Sequence, residues 1–195
     1  DSLVPNATYT IDFSDAISDN NEDNPLGNYT YTFSTGQQID TLEIAGYVLS
    51  ATDLEPVAGI LVGLYDNLDD SAFTTKPMLR VARTDSWGHF CIKGVKAGKY
   101  RVYALRDQDN NYRFSQKGEE LAFTPEVYTP SWKPDTRQDT IWRDSLHIDR
   151  IVTTGYTHFL PDDVVLRAFT EKQTTRYFVK ADRSDEHYFT LFYTY

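Results

Sequence analysis

Four consecutive stretches decide the fold: Ile44-Ala45-Gly46-Tyr47-Val48-Leu49, Pro56-Val57-Ala58-Gly59-Ile60-Leu61-Val62-Gly63-Leu64-Tyr65, Thr84-Asp85-Ser86-Trp87-Gly88-His89-Phe90-Cys91-Ile92 and Val95-Lys96-Ala97-Gly98-Lys99-Tyr100-Arg101-Val102-Tyr103. Period-two spacing sends Phe90, Ile92, Val102 and Ala104 to one face, as it does Val48, Val62 and Leu64. Gly88 follows Asp-Ser-Trp in a tight hairpin that needs a positive φ, and Gly98 marks the turn before Tyr100–Tyr103. Strands are expected over Ile44–Leu49, Ile60–Tyr65, Leu79–Thr84, His89–Ile92 and Lys99–Leu105, without a helix longer than two turns.

Composition agrees with an all-β chain. The 14 Tyr and 11 Phe, with many Thr and Val, favour strands, and 40% hydrophobic residues in 195 suffice for one large or two small domains. A net charge of −10 and a pI near 4.7 argue against a nucleic-acid partner, since a phosphate-binding surface must be basic. Cys91 is the single cysteine, so the core must hold without an intrachain disulfide. No apolar run reaches the length that spans a bilayer. Asp1 opens no signal peptide, so an exported protein is expected here in mature or trimmed form.

Element by element, the Ile44–Leu105 stretch resembles the prealbumin-like repeat found as the carboxypeptidase regulatory-like and Cna-B-type domains. The resemblance implies a Greek-key β-sandwich used as a stalk, spacer or docking module on exported proteins, without catalytic residues of its own. Before it, Val4-Pro5-Asn6-Ala7-Thr8-Tyr9-Thr10-Ile11, then Ala16–Asp19 with Asn24-Pro25-Leu26, then Tyr31–Thr35, looks like the closing half of a bacterial Ig-like domain of the S-layer protein type. The whole resembles a Bacteroidetes-type exported Ig-like protein, and the chain is expected to be a segment of a larger one. Four parts are expected. Residues 1–36 form the Ig-like half, with Tyr9, Ile11 and Phe13 on one strand face and a polar turn over Asp19–Pro25. Residues 42–124 form the prealbumin-like sandwich. Residues 125–161 form an irregular connection around Trp132, because Pro125, Pro130 and Pro134 interrupt it. Residues 162–195 supply strands of a further or shared Ig-like sandwich. The terminal strands should pair with each other or lie against the central sandwich, because open apolar edges are costly.

Chemistry-bearing residues are few. Asp107-x-Asp109-x-Asn111 opens like a calcium loop of the EF-hand type, with Glu119 or Glu120 as a later carboxylate. Tyr112 stands where glycine is usual and Gly118 where the bidentate Glu is usual, so an Asx-rich turn is the alternative. Apart from calcium no cofactor is expected. His89, His147, His158 and His187 lack zinc-site spacing, and no nucleophile elbow surrounds any serine. No catalytic residue is assigned, and Cys91 reads as a small apolar filler. Asp-(Ser/Thr)-apolar triplets at Asp1, Asp40, Asp70, Asp139 and Asp144 resemble the O-glycosylation acceptor of Bacteroidetes-type bacteria, with acidic turn composition as the alternative. The aromatic end, Tyr188 to Tyr195, is two-sided. It reads as a strand buried between layers or as a docking edge for a neighbouring domain.

The expectation is a non-enzymatic structural or docking module in the periplasm or on the outer-membrane or cell surface of a bacterium. Its partner would be another protein or neighbouring domains of its own chain. One alternative is a glycan- or cation-binding module using Trp87, Trp132 and Trp142 as stacking platforms around one groove. Another is an accessory domain of a larger peptidase or glycan-processing enzyme.

Overall fold

A computed structural model describes residues 3–13, 16–20, 24, 26, 29–172, 176–184 and 187–193. It is all-β, a sandwich with attached hairpins. Seven strands form one hydrogen-bonded series: β3 (Leu42–Ser50), β4 (Leu61–Tyr65), β5 (Arg80–Arg83), β6 (His89–Val95), β7 (Arg101–Leu105), β8 (Glu120–Phe123) and β11 (Val164–Thr170), in the order β5-β4-β7-β8-β11-β3-β6. The junction of β8 and β11 rests on two residue pairs, Phe169 with Leu121 and Thr170 with Glu120. There the series folds into two layers around a single core. Ile44, Val48, Val62, Leu64, Phe90, Ile92, Val102, Ala104, Val164 and Leu166 fill it, none more than 1% exposed. Every residue that alternation assigned to the inner face is there. Gly88 has the positive φ its turn requires (71°). The only helix within Ile44–Leu105 among the described residues is one turn, α1 (Ala72–Thr75).

A second apolar cluster lies on the outer face of the β4–β7 layer. Phe73 of α1 stacks on Tyr103 with ring centroids 4.5 Å apart, and Phe114 stacks on Phe73 at 5.6 Å. Two backbone bonds, Phe114 N–H to Phe73 O at 2.9 Å and Met78 N–H to Tyr112 O at 2.9 Å, fasten the loop after β7 over this cluster. The loop is therefore the roof of a small core.

The N-terminal strands β1 (Thr8–Asp12) and β2 (Thr30–Ser34) form their own antiparallel pair, with Tyr9 stacked on Phe33 at 5.5 Å. This hairpin lies against the central sandwich: Arg80 donates to the Thr8 carbonyl and to Thr10 Oγ1, and Thr8 Oγ1 donates to Asp40 at 2.8 Å. Most of the polar turn over 19–25 lies outside the described residues.

Two expectations are corrected, and between them one open alternative is resolved. The stretch 125–161 is not an irregular connection: β9 (Ser131–Trp142) and β10 (Ile148–Leu160) pair along their whole length in a two-stranded hairpin. Pro125 and Pro130 precede β9. Pro134 lies in a strand that pairs on one side only, where a missing N–H is tolerated. Of the further or shared sandwich expected for 162–195, Val164–Thr170 is shared: it runs parallel to β3, with Val164 opposite Gly46, inside the central series. The aromatic end is not buried between layers. Among the described residues β12 (Phe178–Asp182) pairs only with β13 (Thr190–Tyr193), and the described side chains of both strands are exposed. Thr194 and Tyr195 lie outside the described residues.

Candidate functional sites: an acidic loop, a cleft and a projecting arm

The loop after β7 brings Asp107, Asp109 and Glu119 together, with one oxygen from each within 4.8 Å of the others. Local hydrogen bonds build this cluster. Asp107 accepts the backbone N–H of Tyr112 at 2.8 Å and of Asn111 at 3.3 Å, and Asn111 Oδ1 accepts from Arg113 N–H at 2.9 Å. Asp109 accepts from the Asn111 amide at 2.7 Å and from Ser115 Oγ at 3.0 Å. Local desolvation raises the exposed Asp109 carboxyl, but bonds from Ser115 and Gln116 outweigh it and hold the group below the ordinary carboxylate range. Glu119 is fully buried and accepts three backbone N–H groups, from Gln108 at 3.2 Å and from Ser115 and Gln116 at 3.1 Å each. Glu120 points elsewhere, to Arg106 at 2.8 Å. Of the candidate residues, then, Asp107, Asp109 and Glu119 converge, Asn111 borders them and Glu120 does not join. Tyr112 takes the positive φ (59°) usual for glycine at that place in a calcium loop.

A cleft of about 600 Å³ opens between the N-terminal hairpin and the β5–β6 side of the sandwich, lined among others by Thr8, Asp40, Arg80, Lys93, Lys96 and Tyr100. Cys91 also borders it. Its thiol donates to Glu43 at 3.3 Å, and burial, reinforced by that carboxylate, pushes the thiol up to about 12. A thiol so protonated is a weak nucleophile.

The β9–β10 hairpin projects from the body as an arm. At its base His158 bridges two carboxylates, Nδ1 to Asp135 at 3.0 Å and Nε2 to Asp162 at 2.8 Å. These bonds, Asp135 first, raise the imidazole above its ordinary value, and the His158 bond in turn lowers Asp135. Beyond the base nearly every side chain is exposed. Trp132 and Trp142 are 61% and 59% exposed but stand ten residues apart on one strand, roughly 34 Å at strand rise. They cannot share one groove with Trp87, so the three-tryptophan stacking platform is not formed. Ser71, Thr41, Thr140 and Ser145 of the Asp-(Ser/Thr)-apolar triplets are all exposed; Ser2 lies outside the described residues.

Sequence reasoning missed the arm and its His158 clamp. The signal was present in the alternating Lys133, Asp135, Arg137 and Asp139 and in the β-branched run Ile151–Thr154. The neighbouring prolines concealed it.

No family model matches this chain, and no curated protein matches it. A solved structure, the T6 backbone pilin of serotype M6 Streptococcus pyogenes, described as a modular three-domain structure decorated with variable loops and extensions, is similar at a TM-score of 0.30 and 12% identity. The match covers 74% of this chain and 33% of the pilin chain. No helix among the described residues is long and apolar enough to cross a membrane, which leaves β-barrel spans unaddressed.

Proposed function

We propose that this chain is a structural and docking module of an exported bacterial protein in the periplasm or on the cell surface. In this reading the prealbumin-like body is a rigid mount and the β9–β10 arm its contact element. One observation carries it: thirty residues, 131–160, extend from a closed core to whose buried cluster they contribute no residue, touching the body only at their base. An isolated two-stranded ribbon is marginal in water, so an arm of this length is best explained by what it touches. The test is photocrosslinking in cells of the encoding organism, with a photoreactive residue at Trp132 or Thr153 on the arm and at Lys117 on the body. Protein adducts at the arm positions and none at Lys117 support the reading. Adducts confined to the body overturn it.

A second reading concerns the acidic loop. The convergence of Asp107, Asp109 and Glu119, with Tyr112 in the glycine conformation, favours a structural calcium ion there. Its test is the calcium dependence of the melting temperature.

A further inference from the structure

The two edges of the arm are built differently. The β9 edge carries Lys133, Pro134, Asp135, Arg137 and Asp139, the residue types with which natural proteins guard an edge against pairing. The β10 edge is unguarded: from Ile151 to Thr157 it reads Ile-Val-Thr-Thr-Gly-Tyr-Thr, seven residues with no charge and no proline. Among the described residues β10 pairs with β9 alone, and its second edge is open to them. A run of high β-propensity without charge is the kind that templates another strand.

We propose that this edge pairs with the same edge of a second copy of the chain, antiparallel and two-fold about Thr154. This rests on the docking reading above and names its partner. Three features of the molecule favour a second copy. The arm is electrically neutral, with four basic and four acidic residues in 131–160, whereas the whole chain carries −10. Two copies therefore meet most easily through their arms. The register is self-complementary: Val152 faces Tyr156 of the second copy, a β-branched residue against an aromatic, and Ile151 faces Thr157. Arg150 comes opposite His158 of the second copy, whose ring is held by the carboxylates of Asp135 and Asp162; with Lys133 3.8 Å from Asp135, this cluster is negative while the imidazole is neutral. The resulting four-stranded sheet has β10 strands inside and guarded β9 strands outside, so assembly closes at the dimer.

Sedimentation of the full chain over a concentration series tests this. The mass is expected to rise from 22.4 kDa to twice that value. Thr154→Lys, which sets two charges against each other on the axis, should weaken the dimer at least tenfold while leaving circular dichroism unchanged, and melting unchanged at concentrations where both proteins are monomers. In a Cys91→Ser background, Thr154→Cys should form a disulfide-linked dimer under mild oxidation and Lys133→Cys should not. A monomer up to about 1 mM, a dimer that survives Thr154→Lys, or crosslinking at Lys133→Cys instead of Thr154→Cys overturns the proposal. A monomer whose arm still crosslinks to another protein in cells leaves the docking reading standing and removes only the second copy.

Discussion

A Cβ placed on Gly46 would stand 2.0 Å from the carbonyl oxygen of Val164, closer than any real Cβ contact. The two residues face each other across the parallel β3–β11 pair, the one parallel contact in the sandwich. β11 follows the arm in the chain, and Gly46 is the seat on which this core strand packs.

Gly46→Ala must therefore push backbone from backbone, since no flexible side chain can give way. Overpacking of this kind costs typically about 1–3 kcal/mol, and the upper part of that range is expected here. Gly59→Ala is the control: its φ is +70°, but nothing lies within 4 Å of the added methyl. It should lose only the strain of a left-handed alanine, about 1–2 kcal/mol. Urea unfolding of both variants checks the order. Equal losses would mean that β11 does not seat on Gly46.

Glu119→Ala leaves three backbone N–H groups in a buried pocket without their acceptor. Orphaned donors and lost charged hydrogen bonds together cost about 2–4 kcal/mol, and the effect should travel. Phe114, held over Phe73 by the same loop, should lose its packing, with faster amide exchange at Phe114 and Met78 than at Val62. Uniform exchange across all three would show that the roof and the main core open as one unit.

The calcium reading has its own outcome. A site bound at a hundred times its dissociation constant gains about 2.7 kcal/mol, so millimolar calcium should raise the melting temperature and chelator should reverse it. Asp107→Ala and Asp109→Ala should each abolish the shift. A melting curve indifferent to both calcium and chelator would leave a hydrogen-bonded Asx loop as the full account of these residues.

Cys91 offers a probe of the sheet surface under the N-terminal hairpin. With its thiol pushed up to about 12 by burial and Glu43, it should react with a disulfide reagent far more slowly at pH 8 than an exposed cysteine, and at the exposed rate after denaturation. Fast labelling of the native protein would mean that this part of the cleft opens readily.

The central strands were legible because period-two alternation and marker glycines are local signals, and Phe90, Ile92, Val102 and Ala104 obey them. The second cluster was not, because Phe73 and Met78 come from the β4–β5 connection and Phe114 from the loop after β7, and only tertiary contact gathers them. The acidic loop was half legible. Spacing announced Asp107 and Asp109 and left the later carboxylate open between Glu119 and Glu120; that Glu119 is the one that converges, and that Tyr112 takes the glycine conformation, are properties of the folded loop. The arm is hidden in the sequence because prolines read as strand breakers, whereas Pro134 sits in an edge strand that tolerates one. At β11 the sequence has a strand and no mark of its partner: parallel pairing with β3, more than a hundred residues earlier, leaves no local trace.

His158 ties the arm to the body in a manner that depends on pH. Lys133 and Asp135 face it from β9, Asp162 from the segment after β10, and Tyr156 stacks beside it with centroids 5.7 Å apart. Because its folded-state value lies above the ordinary one of about 6.5, this stabilisation is complete below that pH and is lost as pH rises through the raised value. Asp135 works in the opposite sense. Its lowered value makes its contribution complete above about 3.9, and that contribution is lost as pH falls through the lowered value. The clamp should hold best between these limits. The ring is near the surface, so solvent screening keeps the effect local to the arm and off global stability. Imidazole resonances followed by NMR should give His158 a raised value in the native chain. Asp135→Asn and Asp162→Asn should each bring it down, Asp135→Asn by more, with faster amide exchange at Lys133 and Phe159. An unchanged titration in both variants would show that the carboxylates do not hold the ring in solution.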